Sequence, residues 1–391
     1  MAKILIVTSR YLDTAVGGAE KLTKDYAELL SEINEVTVCT TTAKDYVTWK
    51  NQLLIGVSHS NSIKILRFTV LKERNIRKMN VILSECLDEG INVKPELEEK
   101  FLIEQGPYSP DLVDYVTAEQ NKYDLIILIG YLYYPIVKLV PVLKVPFVIV
   151  PTFHDEPAFQ LPLYKRTYLP KFVYSFNAPE ELDVYLKYIG QTPKNYFLIG
   201  TYVELNEPNN KNSESIRKSQ QLVSIGRIEP AKGYPELFEY YSDWKKNVPD
   251  PNIKLICIGS LFSMKPDPRD DIEFTGFLDE ETKLKILSES AVLINPSPFE
   301  SFSISIMEAW LSELPVLVNA KSLVMRGHCI RSQGGLYYND SILFKRTLEY
   351  LLKDSKMRTQ LGKNGKRYVE LNFSKQMIRE KLNQMVSTLL G

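Results

Sequence analysis

Apolar residues fall in short blocks of two alternating kinds. KILIVT, residues 3–8, is a continuous apolar run of strand length, followed by the loop SRYLDTAVGGAE. Ala19, Leu22, Tyr26, Leu29 and Leu30 then recur at helical spacing, and EVTVCTT, residues 35–41, returns to a strand pattern. Strand, glycine-containing loop, helix and strand is the repeating unit of a parallel sheet. Further strands are predicted at 62–68, 125–129 and 147–150, with a helix-rich stretch over 71–120.

The pattern breaks at VELNEPNNKNSESIRKSQQ, residues 203–221, which is polar and aperiodic and reads as a linker. Alternation then restarts. Strands are expected at 222–225, 254–258, 272–274, 291–294 and 315–318, with helices from about 235, through 284–287 and from about 303. The fold class is therefore α/β with two Rossmann-like, doubly wound domains, 1–205 and 206–372. A terminal amphipathic helix lies within 373–391, with packing back on the first domain as one option. Ligands of such sheets sit beyond the carboxyl ends of the strands, so a central cleft faced by both domains is the expected site.

A length of 391 residues exceeds one ordinary core, in keeping with two domains. Forty-eight basic and 48 acidic residues cancel, so no overall field draws in nucleic acid, and an anionic partner needs a local site. Cys39, Cys86, Cys257 and Cys329 are scattered in apolar surroundings and read as buried thiols, not as a disulfide framework or zinc site. The N-terminus enters a strand pattern at once, without signal-peptide features. The apolar region 123–150 carries Lys138, Lys144 and three prolines, which suits strand–helix–strand better than a membrane span. A cytoplasmic protein is expected, with contact at the inner face of a membrane as an option.

Two stretches carry candidate chemistry. In SIGRIEPAKGYPELF a strand ends at Gly226, and Arg227 and Lys232 follow in the loop before a helix. A planar fork and a point charge at a strand end suit a diphosphate, although both could be solvated surface charges. In INPSPFESFSISIMEAW a strand runs into a loop and then a helix starting between 302 and 305. Unpaired N–H groups at a helix start favour phosphate. Glu300 precedes that start and Glu308 follows it, and carboxylates accept hydrogen bonds from sugar diols. The plain alternative makes Ser305-x-x-Glu308 a capping box.

GRIEPAKG and PSPFESFSISIMEAWLSELPVLVN resemble the two signature blocks of the retaining, GT-B-fold glycosyltransferases of family 4. GGAE at 17–20 resembles that family's N-terminal glycine loop, PTFHDE its histidine segment, and RSQGGLYYND its late glycine segment. The blocks come in the family's order and span most of the chain.

The resemblance implies that Arg227 and Lys232 hold the donor diphosphate, Glu308 the nucleotide ribose and Glu300 the hydroxyls of the transferred sugar. The amides of Phe302, Ser303 and Ile304 would face the β-phosphate or sugar, and Gly17, Gly18 and Gly226 would allow close approach to the donor. Phe277 lies where the family contacts the base, unless it is a plain core aromatic. His154 would hydrogen-bond the donor sugar, with Asp155 or Glu156 orienting it or meeting the acceptor. His154, Glu300, Arg227 and Lys232 are thus the catalytic set. No cofactor and no metal are expected, and DPRDD at 267–271 is read as a polar loop. The family usually has glycine where this chain has Ser301 and Ser303, which points to altered donor choice or a degenerate site.

The expected partners are a nucleotide-sugar and a glycan or polyprenyl-linked acceptor, with no nucleic acid. Lys72, Arg74, Arg77 and Lys78 could form a basic membrane-contact face or a solvated helix face. Rival readings are another GT-B enzyme, such as a nucleotide-sugar epimerase or a phosphorylase, and a catalytically silent partner of an active transferase.

Overall fold

A computed structural model describes residues 1–12, 17–205, 221–248, 250 and 252–391. The expected linker and the 205/206 boundary fall largely on residues outside this set. The chain divides into two compact units, Met1–Thr201 with Ile378–Gly391, and Tyr202–Met377.

The first unit holds β1 (Lys3–Thr8), β2 (Glu35–Thr41), β3 (Gly56–Ser60), β4 (Ile63–Phe68), β5 (Leu125–Ile129), β6 (Phe147–Val150), β7 (Val173–Phe176) and β8 (Asn195–Leu198). They form one sheet in the order β3-β4-β2-β1-β5-β6-β7-β8. Edge strand β3 runs antiparallel to β4, and the remaining pairings are parallel. β1 and β5 are apolar runs because helices cover both faces of a parallel sheet; every residue of β5 is buried. Each such Leu or Ile contributes about 1.5–3 kcal/mol of burial. One face is rich in aromatic rings: Tyr131, Phe153, Phe159, Tyr164, Tyr168, Tyr174, Phe176 and Tyr185 share one cluster. The terminal helix, Lys375–Leu390, buries Ile378, Leu382, Met385 and Val386, and Arg379 pairs with Glu32 at 2.7 Å.

The second unit holds β9 (Leu222–Ile225), β10 (Leu255–Ile258), β11 (Ile272–Gly276), β12 (Val292–Asn295), β13 (Val316–Asn319) and β14 (Gly335–Tyr338), in the order β11-β10-β9-β12-β13-β14 with all pairings parallel. The chain starts at β9, builds outward through β10 and β11, and returns to add β12 on the other side. The strand order therefore reverses between β9 and β12, whose register pairs Val292 with Leu222 and Leu293 with Val223. In open α/β sheets the ligand crevice lies at such a reversal, beyond the carboxyl ends. Both stretches with candidate chemistry leave the sheet at this point.

Among the described residues, no helix is long and apolar enough to cross a membrane. Cys39, Cys86, Cys257 and Cys329 are all free and buried.

Candidate functional site

β9 ends at Ile225, and the loop that follows carries Gly226 and Arg227, the latter with its Nη2 3.3 Å from Glu229 Oε1. A 3-10 turn over Pro230–Lys232 leads into the helix Tyr234–Lys245. Gly233 joins them with φ 76°, and a side chain there would come within 2.2 Å of the Pro296 carbonyl oxygen. That close passage packs the β9 loop against the β12 loop and explains the glycine.

The β12 loop returns the contact. Lys232 Nζ lies 2.8 Å from Glu300 Oε1 and 3.3 Å from the Phe299 carbonyl oxygen. The two signature stretches, nearly 70 residues apart in sequence, thus meet through a cation and a carboxylate, each only partly exposed. The helix begins at Ile304, inside the interval expected, and runs to Leu311. Ser303 is its N-cap, with φ 70° and no side-chain cap hydrogen bond.

The capping-box reading of Ser305 and Glu308 is corrected by this geometry. Ser305 lies inside the helix, and its hydroxyl accepts a hydrogen bond from Asn295 Nδ2 at 3.1 Å. Glu308 instead accepts one from Lys283 Nζ at 2.8 Å, from the helix Glu280–Glu289. Burial works against the Lys283 ammonium, but Glu308 and Glu280 outweigh it and hold its pKa above the usual lysine value.

Phe302 is buried against Phe373 and His328, with ring centroids at 4.9 and 5.6 Å. His328 is itself fully buried, its Nδ1 2.9 Å from Tyr368 Oη, and burial pushes its pKa down to about 3. Phe277, after β11, is 71% exposed, so the core-aromatic alternative fails. In DPRDD, Asp267 and Asp271 both approach Arg269 Nε, at 3.1 and 3.9 Å, and their charges are met within the loop itself.

In the first unit, Gly17 immediately precedes the helix Gly18–Ser31. A side chain at Gly17 would strike Glu20 Oε2 at 2.4 Å, so its absence makes room for the ion pair between Arg10 and Glu20. His154 follows β6 and is about one-third exposed, with its Nδ1 3.6 Å from Glu156 Oε1. Glu156 also accepts a hydrogen bond from Tyr131 Oη at 2.6 Å. Burial would raise the pKa of Glu156, but His154, Tyr131 and Arg74 together hold it below the usual carboxylate value. Asp155 turns the other way, to Lys187 at 2.7 Å and to Tyr188. Between the two acids that spacing left open, the structure puts Glu156 beside His154.

The loop carrying His154 has its own brace. Thr152 takes φ 54°, and the Phe153 N–H donates to Glu181 Oε1 at 2.7 Å. Glu181 is fully buried and also accepts from the Asn177 N–H at 2.6 Å. Burial raises its pKa to about 8 despite these bonds.

The basic stretch at 72–78 has partners within the protein. Lys72 and Lys78 both pair with the buried Glu104, the latter at 2.7 Å. Arg74 donates to the Tyr46 carbonyl at 2.9 Å and to Gln105. Three of the four cations are thus engaged with the protein's own groups, while Arg77 is exposed. Sequence reasoning missed Lys283 and Glu181, which meet Glu308 and Phe153 from separate segments, and also Asn295 and Glu229, which make contacts within their own loops.

Two parallel-sheet, Rossmann-like units of this topology define the GT-B fold. Residues 206–368 match the family Glycosyl transferases group 1. The capsular polysaccharide biosynthesis glycosyltransferase CapM of Staphylococcus aureus is 28% identical over 179 residues, 42% of this chain and 45% of that protein. The match therefore spans less than half of that relative. Among solved structures, the sucrose-phosphate synthase tll1590 of Thermosynechococcus elongatus superposes with a TM-score of 0.70 at 17% identity, covering 100% of this chain and 99% of that one. Anabaena Alr3699/HepE in complex with UDP-glucose gives 0.70 at 15% identity with 100% of both chains covered.

Proposed function

We propose that the protein is a retaining glycosyltransferase that moves a sugar from a nucleotide-sugar to a glycan or polyprenyl-linked acceptor in cell-surface polysaccharide or glycoconjugate synthesis. The observation that carries this reading is the meeting of Lys232 and Glu300 at 2.8 Å where the strand order of the second unit reverses. Arg227 stands on the same β9 loop, and the helix start at Ile304 belongs to the same β12 loop. The group 1 match covers all of these residues. UDP-glucose in the Anabaena structure makes UDP-sugars the first donors to test.

Arg227, Lys232 and the first amides of the helix hold the donor diphosphate, with Gly226 leaving room beside it. Glu308 accepts from the ribose hydroxyls, Phe277 stacks on the base, and Glu300 holds the hydroxyls of the transferred sugar. As the anomeric C–O bond breaks, positive charge grows on the sugar and negative charge on the leaving diphosphate. The fixed cations and amides stabilise the diphosphate, and loss of one such donor costs about 2.7–4 kcal/mol. The acceptor hydroxyl attacks from the face the diphosphate is leaving, and its proton passes to the departing phosphate oxygen. The reaction as proposed needs no metal. A lipid-linked acceptor brings the chain to the inner face of a membrane, where flotation with anionic vesicles tests docking.

Incubating the protein with a UDP-sugar panel, with and without acceptor extracts, and following UDP release tests the proposal. Acceptor-dependent release with the anomeric configuration kept is the expected result. Sugar isomerisation without acceptor would indicate an epimerase, and a requirement for free phosphate a phosphorylase. Absence of both binding and turnover would favour a silent partner.

A further inference from the structure

Ser303 holds an unusual position. Its φ of 70° and ψ of 80° lie in the left-handed region, which glycine enters freely and other residues at a cost. It is nevertheless buried, and its hydroxyl makes no capping hydrogen bond to the start of the helix. The hydroxyl instead accepts a hydrogen bond from Asn295 Nδ2 at 3.1 Å. The same amide nitrogen reaches Ser305 Oγ at 3.1 Å, and the two serine oxygens are 3.5 Å apart. Asn295 Oδ1 accepts from the Ser297 N–H at 3.0 Å, and Ser297 Oγ donates to the Phe299 carbonyl at 3.0 Å.

One buried carboxamide at the end of β12 therefore ties down the first turn of the loop and both serines at its end. Between these ties lie Glu300 and the amides assigned above to the donor. An asparagine has two N–H donors and one carbonyl acceptor, and this geometry uses both ends. A serine at positive φ needs surroundings that over-determine it, and the Asn295 contacts supply them.

We propose that Asn295 is a positioning residue for donor binding: its carboxamide fixes Ser303 in the left-handed conformation that aims the start of the Ile304–Leu311 helix. The serine side chain then faces the protein interior and is not a sugar ligand, so its influence on the donor runs through the backbone. This inference rests on the donor-site reading above.

The test uses the full chain, with UDP as the probe in calorimetric titration and hydrogen exchange as a ligand-free readout of segment 296–305. Asn295→Ala should weaken UDP binding about ten-fold and speed exchange across 302–305 at least as much. Ser303→Ala keeps the strained backbone and loses the tie, so it should bind UDP more weakly than Ser303→Gly. Adding Ser303→Gly to Asn295→Ala should recover at least three-fold in affinity, a rescue that simple loss of packing would not give. If Asn295→Ala does not fold, the order of the two Ser303 variants decides. Equal affinities for Ser303→Ala and Ser303→Gly, or wild-type exchange in Asn295→Ala, would overturn the proposal. If the wild type binds no UDP, the donor reading is at fault, and exchange across 302–305 still judges the clamp.

Discussion

Lys232 and Glu300 face one another at 2.8 Å, joining the loop after β9 to the loop after β12. Each is assigned to a different part of the donor, and the pair is expected to open as both find their ligands. Lys232→Ala should lower kcat about 10²–10³-fold, the usual effect of removing one fixed donor from a developing anion. Glu300→Gln should also act mainly on kcat. Steady-state kinetics on variants with unchanged circular dichroism checks this.

Glu308 and Lys283 form a second pair at 2.8 Å. Because Glu308 is assigned to the ribose, which does not react, Glu308→Ala should raise the Kd for UDP about ten-fold and leave kcat nearly unchanged. Lys283→Met removes the ammonium 2.8 Å from Glu308 and should weaken UDP binding less than Glu308→Ala does. Titration calorimetry separates the two.

Phe277 is 71% exposed, so its loss removes little core. Phe277→Ala should leave Tm within about 1 °C, since surface changes away from buried features usually fall within ±0.5 kcal/mol. UDP affinity should nevertheless fall several-fold if the ring stacks on the base. Thermal melts with and without UDP read both quantities.

Two buried titratable groups act at opposite ends of the pH scale. His328 has its pKa depressed from 6.5 to about 3, so below pH 6.5 the unfolded chain takes up a proton that the folded chain refuses. Its contribution to stability is present above pH 6.5 and is lost as the pH falls towards 3. Glu181 is raised from 4.5 to about 8, so the folded chain keeps a proton that the unfolded chain releases. Its contribution is present below pH 4.5 and is lost as the pH rises through 8. In Tm profiles, His328→Gln should flatten the acid side and Glu181→Gln the alkaline side.

The basic stretch at 72–78 has a structural duty that bears on any membrane experiment. Charge reversal at Lys72 and Lys78 would leave Glu104, which is buried, facing two carboxylates. A loss of several degrees in Tm is the expected outcome, with any change in vesicle flotation following from it. Melting each variant before flotation distinguishes the two effects.

Most of the strands that sequence revealed are largely buried, β4 and β11 being the more exposed of them. β1, β5 and β6 read as apolar runs because both faces are covered, and β2 shows as Val and Cys alternating with Thr. β3 was missed because GVSHS is an edge strand with its side chains largely exposed. β7 and β8 are four residues each and mix aromatic with polar positions, so no period stands out. In the site, Arg227, Lys232 and Glu300 were legible because they sit in short loops beside strand ends. Their pairings were not, since Lys283 and Glu308 lie 25 residues apart on different helices. The capping-box alternative fails because the helix starts at Ile304, one residue before the serine that should have preceded it. The pairing of the basic stretch at 72–78 was not legible because the counter-charge of Lys72 and Lys78, Glu104, comes from a separate helix, Pro95–Gln105.

The most direct measurement is a crystal structure of the protein with UDP-glucose bound. The diphosphate should lie within hydrogen-bond distance of Arg227 and Lys232, with the Lys232–Glu300 contact opened and Glu308 on the ribose. A nucleotide bound elsewhere, with those four side chains undisturbed, would contradict the account.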